Sequence, residues 1–116
     1  MVNILAMNST SNAGVLVVEV LGDLDLATAP QLAEAITQGL STQAAAVAVI
    51  VDLTNLDFLA CAGMAVIIRG KASAGTSVWF AIAAEGPSTS RPMKIVGLDR
   101  EIDLYPTVDA ALASGT

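Results

Sequence analysis

Residues 46–53 read Ala-Val-Ala-Val-Ile-Val-Asp-Leu, an apolar and largely β-branched run interrupted only by Asp52. The run is too short for an ordinary buried helix, and β-branched side chains favour extended backbone, so it predicts a strand. Having no polar alternation, that strand must be covered on both faces, which calls for helices above and below a sheet.

The flanking sequence supplies them. Val15–Leu21 is a second strong β segment, ended by Gly22, and Asn3–Met7 is a weaker one. Between these two, Asn8–Gly14 is rich in turn formers, with a hairpin bend expected at Asn12-Ala13-Gly14. Thr28-Ala-Pro-Gln31 reads as a helix start, with Thr28 as cap, Pro30 in the first turn and Gln31 in the capping-box position. Leu32, Ile36 and Leu40 then recur every four residues, with Ala29 and Ala33 beside them, forming one apolar helix face. A second helix is predicted over Ala62–Ala72, closed by Ser73-Ala74-Gly75, then a strand over Ser77–Ala83. A third helix over Ser88–Val96 should stop at Gly97. Ile102–Tyr105 is extended, and Thr107 caps a last helix running through Leu112. The alternation predicts a layered α/β fold, a mixed sheet flanked by about four helices. The opening ββ pair has no room for a crossover and should be antiparallel. No composition break or repeat divides residues 1–116, so one domain is expected.

Several function classes drop out. Hydrophobic residues make up 54% and charged residues 14%, which excludes a disordered chain. The longest uninterrupted apolar stretch, Phe58–Ile68, falls short of the roughly 18 residues of a membrane span. The first ten residues carry no Lys or Arg to open a signal peptide, so a cytoplasmic protein without membrane insertion is expected. With no His and one Cys, His-based triads and Cys-rich zinc sites are excluded, and neither metal nor cofactor is expected. All five basic residues lie after position 68, whereas residues 1–68 hold six acids. An acidic half argues against nucleic acid and permits a basic protein partner.

Four places could carry chemistry. Asp23 and Asp25 leave a strand two residues apart, so in extended backbone they share a side opposite Leu24 and Leu26. They could work in acid/base catalysis, hold Mg²⁺, contact a partner, or simply solvate a loop ahead of a helix N-terminus. Asp52, followed by Thr54 and Asn55, ends the central strand where α/β sheets bind ligands, or forms a turn held by its own side chains. Cys61 stands at a helix start, where a thiol can be activated, although a free Cys is commonly just a small buried residue. Trp79 and Phe80 read as core bulk.

Taken together, these segments resemble the STAS domain family. Gly22-Asp-Leu-Asp-Leu-Ala-Thr-Ala-Pro-Gln-Leu32 is similar to the signature after its second strand. Val51-Asp-Leu-Thr-Asn-Leu-Asp-Phe58 resembles its central strand and exit, and Gly63-Met-Ala-Val-Ile67 its second helix. Gly97-Leu-Asp-Arg100 and Leu104-Tyr-Pro-Thr-Val-Asp-Ala-Ala-Leu112 resemble its C-terminal end. The closest type is the bacterial anti-sigma factor antagonist. The resemblance implies a binding protein, not an enzyme, that engages an anti-sigma factor, usually a GHKL-type serine kinase, and so frees a sigma factor. In the family, that kinase switches the antagonist off by phosphorylating a Ser or Thr in an Asp-Ser-Ser-Gly-Leu motif. Here the motif positions are Ala60, Cys61, Ala62, Gly63 and Met64, so Cys61 replaces the acceptor and the usual switch is expected to be missing. Asp25 matches the acid that lies near the acceptor in the family. The implied contact surface is Asp23, Asp25, Thr28, Thr54, Asn55 and Ala60–Met64, on a monomer or weak dimer. A STAS subunit of a transporter or stress-signalling assembly is the alternative.

Overall fold

The central run forms a strand with every residue buried, and the remaining elements are arranged around it. In chain order they are β1 (Leu5–Asn12), β2 (Val15–Leu24), α1 (Ala29–Thr42), β3 (Ala48–Asp52), β4 (Leu56–Leu59), α2 (Cys61–Ala74), β5 (Trp79–Ala83), α3 (Ser90–Ile95), β6 (Asp103–Tyr105) and α4 (Val108–Gly115), with a 3-10 turn at Leu98–Arg100. This computed structural model describes residues 5–12, 14–42 and 47–115, so the Ala46 end of the predicted central strand lies outside it.

The strands order as β1-β2-β3-β5-β6, with β4 pairing to β2 off that path. β1 is antiparallel to β2; the β2–β3, β2–β4, β3–β5 and β5–β6 pairs are parallel, giving the expected mixed sheet. Alternation sorts β3 between two cores. Val49 and Val51 face a large cluster with Leu32 and Ile36 of α1, Met64 and Ile67 of α2, and Met93 of α3. Ala48 and Ile50 face a smaller cluster with Ala111 of α4, against which Val108 and Leu112 also pack. Three helices therefore cover one face and α4 covers the other.

Three local expectations are corrected. First, the polar segment Asn8–Asn12 belongs to β1, because β2 offers it a continuous ladder from Leu5 opposite Gly22 to Asn12 opposite Val15. Of the expected bend, Ala13 lies outside the described residues and Gly14 takes φ +82°. Second, Gly22 does not end β2. It takes φ +93° at a register shift, and β2 continues to Leu24. The irregularity re-aims β2, which pairs with β3 through Val15–Glu19 and with β4 through Gly22–Leu24. Third, β4 is a strand that the sequence pattern does not announce. Its burial runs buried, exposed, exposed, buried, without alternation.

Helix ends fare better. Gly97 takes φ +81° just past α3, and the Thr107 hydroxyl accepts the Ala110 N–H at 3.0 Å to cap α4. The predicted Thr28 cap fails, as described next.

Candidate functional site

The segment leaving β2 closes on itself through Asp25 and Thr28. Asp25 Oδ1 accepts the N–H groups of Ala27 at 2.9 Å and Thr28 at 3.1 Å, an Asx turn. The Thr28 hydroxyl donates to the Asp23 carbonyl at 2.8 Å and accepts the Asp25 N–H at 2.9 Å. Thr28 is 1% exposed, so its hydroxyl points back into the loop instead of forward to α1. Its backbone carbonyl, not its side chain, meets the Gln31 N–H. The expected common side for Asp23 and Asp25 is also lost, since β2 ends at Leu24 and Asp25 turns into its own loop. Leu24 is fully buried, whereas Leu26 is 81% exposed; the turn at Asp25 separates two leucines that extended backbone would have kept together.

The start of α2 is anchored to this loop. The Ala60 N–H donates to the Leu24 carbonyl at 2.9 Å, and the Ala60 carbonyl accepts the N–H groups of Gly63 and Met64. Cys61, the first helical residue, is exposed. Ala60 and Ala62 beside it are half-buried, and the helix has no side-chain cap and no acid in its first turn. Gly63 is buried so closely that a Cβ there would lie 2.6 Å from Leu24 Cγ. Met64 is buried too, so Gly63 and Met64 lie beneath the surface.

Thr54 and Asn55 are exposed and precede β4. β4 separates them from Ala60, roughly 13 Å of extended chain. Asp52 Oδ1 accepts both the Thr54 N–H at 3.0 Å and the Thr54 hydroxyl at 2.6 Å, the self-contained turn that was one of the two readings. Phe80 is buried as core bulk; Trp79 is half-buried, donating its indole N–H to Asp103 at 2.8 Å. Among the described residues no cluster of three or more acids or Cys could hold a metal ion. No helix among them is long and apolar enough to cross a membrane.

Two surface residues escape sequence reasoning. Leu26 and Phe58 are large, apolar and exposed, Phe58 at 54%. Phe58 stands opposite Asp23 in the β2–β4 register. Periodicity assigns such residues to the core, and only the short edge position of β4 and the Asp25 turn put them outside.

Residues 6–111 match the STAS domain family. The chain belongs to that family. It is 34% identical over 99 residues to the anti-sigma-F factor antagonist RsfB of Mycobacterium tuberculosis, covering 85% of this chain and 80% of that protein. The crystal structure of an anti-sigma factor antagonist from Mycobacterium paratuberculosis superposes with a TM-score of 0.89 at 33% identity, covering 96% of this chain and 93% of the other. The antagonist SpoIIAA in its unphosphorylated form shares the fold, with a TM-score of 0.69 at 19% identity over 92% of this chain and 93% of its own. This STAS domain thus falls in the anti-sigma factor antagonist family, whose members are regulators and not enzymes.

Proposed function

We propose that this STAS domain binds an anti-sigma factor of the serine-kinase-like type and so releases a sigma factor, without phosphorylation control at position 61. The observation that carries the reading is the exposed Cys61 at the head of α2, held beside the Asp25 loop by the Ala60–Leu24 hydrogen bond. The similarity to mycobacterial antagonists along most of the chain supports it. Contact falls to Leu26, Phe58, Ala60, Cys61 and Ala62, with Asp23 at the edge. Asp25 and Thr28 act by shaping the loop, and Gly63 and Met64 by seating the helix.

Exposed apolar side chains supply the anchor of such an interface, and charges around them set orientation and encounter rate. In a phosphorylated antagonist, a phosphate of about −1.5 to −2 charge at the head of the helix would oppose docking. A thiol is not an acceptor for a Ser/Thr kinase, so this chain stays competent in the presence of ATP.

Calorimetric titration with a cognate anti-sigma factor tests the reading. Leu26→Arg should weaken binding at least about tenfold, because it places a cation where an apolar anchor is expected. Unchanged affinity would remove this loop from the interface. Intact-mass spectrometry after incubation with the kinase and ATP should show no phosphoryl increment on Cys61, and an increment mapped there would overturn the switch argument.

A further inference from the structure

The described large hydrophobic residues left exposed include two pairs with opposite electrostatic settings. Leu26 and Phe58 lie in the acidic part of the chain, where residues 1–68 hold six acids and no base; Asp57, next to Phe58, is exposed. Ile95 and Val96 lie at the end of α3, 76% and 61% exposed. Within α3, Ser90 and Met93 face inward, whereas Arg91, Lys94 and Ile95 occupy one outward face at helical spacing. That face lines an open groove of 630 Å³ together with Gly86 and Pro87. Arg100 is offset by its neighbours Asp99 and Glu101, and Glu85 and Asp99 lie on the other side of Lys94, so the positive charge is confined to Arg91 and Lys94 at the groove.

We propose that the α3 face docks a second copy of this chain, which seats there its own acidic, apolar edge around Leu26 and Phe58. The two surfaces complement each other in both respects that matter: an aliphatic pair meets an exposed Leu and Phe, and Arg91 and Lys94 meet carboxylates. Because they are different surfaces, the contact is heterologous: each copy offers its acidic edge to the next and keeps its own basic face open. The whole chain carries a net charge of −6, which repels at long range and keeps the association weak. The consequence is regulatory. A docked copy covers Leu26 and Phe58, so self-association and anti-sigma binding exclude each other. The inference shares those two residues with the proposed function, but its test uses this chain alone, so its failure leaves that reading standing.

Sedimentation equilibrium of the full chain over a concentration range up to millimolar is the test. Wild type should self-associate within this range. Ile95→Asp and Leu26→Asp each remove one of the two surfaces from an exposed position, and each alone should be monomeric. An equimolar mixture should form a dimer and stop there, because each variant retains the surface that its partner lacks. A monomeric wild type at millimolar concentration overturns the proposal. So does a mixture that stays monomeric, or an Ile95→Asp protein that associates like wild type. If instead the chain stays monomeric and Ile95→Asp abolishes sedimentation with phosphatidylglycerol vesicles, the α3 face is a lipid-binding surface and the proposal fails.

Discussion

Gly63→Ala tests how tightly the head of α2 is seated. A Cβ at position 63 would lie 2.6 Å from Leu24 Cγ, 2.8 Å from Leu24 Cδ2 and 3.0 Å from Leu59 Cδ1. Leu24 Cγ is the branch point of its side chain, not a free end, and Leu24 is fully buried, so it cannot swing aside without disturbing its neighbours. The strain falls on the Ala60–Leu24 hydrogen bond and on the first turn of α2. Overpacking of this kind costs about 1–3 kcal/mol. Alanine gains up to about 1 kcal/mol over glycine in a helix interior, and less in a first turn. The net expectation is a loss of about 1–2 kcal/mol. For a domain of this size that lowers Tm by roughly 3–10 °C. Thermal unfolding by circular dichroism reads the stability. Amide exchange at Ala60 and Met64 reads the location, and protection there should fall more than in β3. A Tm at or above wild type would refute the reasoning, because it would mean that Leu24 yields freely and helix preference alone sets the outcome.

Thr28→Val keeps the shape but removes the hydroxyl that joins the Asp23 carbonyl to the Asp25 N–H, leaving buried polar groups unpaired; urea unfolding should show a loss of about 1–3 kcal/mol. Asp25→Asn keeps an oxygen for the Ala27 and Thr28 N–H groups and should cost less stability than Asp25→Ala, a ranking that the same unfolding curves check. Leu26→Arg should leave unfolding free energy within about 0.5 kcal/mol of wild type despite its effect on binding, since the side chain packs against little. Cys61 should be alkylated by a small maleimide in the folded protein; labelling only after denaturation would contradict its exposed position.

Some of this protein is written in its sequence because the cause is local. The β-branched run at residues 46–53 predicts an extended, covered strand, and its Ala48–Asp52 part is one, while Val47 stays 55% exposed. The Leu32–Ile36–Leu40 spacing directs one face of α1 inward, burying Leu32 and Ile36 and packing Leu40 against the core. Gly97 stops a helix because it reaches φ +81° without a Cβ penalty, and Thr107 caps α4 within its own four-residue reach. That Cys61 stands where the family resemblance implies an acceptor Ser is likewise a reading of the sequence alone.

Other features exist only because distant segments meet. Asn8–Asn12 has the composition of a turn and becomes strand because β2 supplies its hydrogen-bond partners. Leu56–Leu59 has no strand periodicity and is fixed by three residues of β2 beyond the Gly22 irregularity. Thr28 stands where a helix cap should be, yet the competing bonds to Asp23 and Asp25 claim its hydroxyl. Gly63 and Met64 stand where the resemblance implies a contact motif, but Leu24 and Leu59 pack against that turn of α2 and both residues are buried. Leu26 and Phe58, apolar by composition, are left outside because the turn at Asp25 and the short reach of β4 provide nothing to cover them. Local propensity decides the strongly patterned segments; whether weakly patterned ones become strand, and which side chains reach the surface, is decided by what pairs and packs against them, and that is set by the tertiary fold.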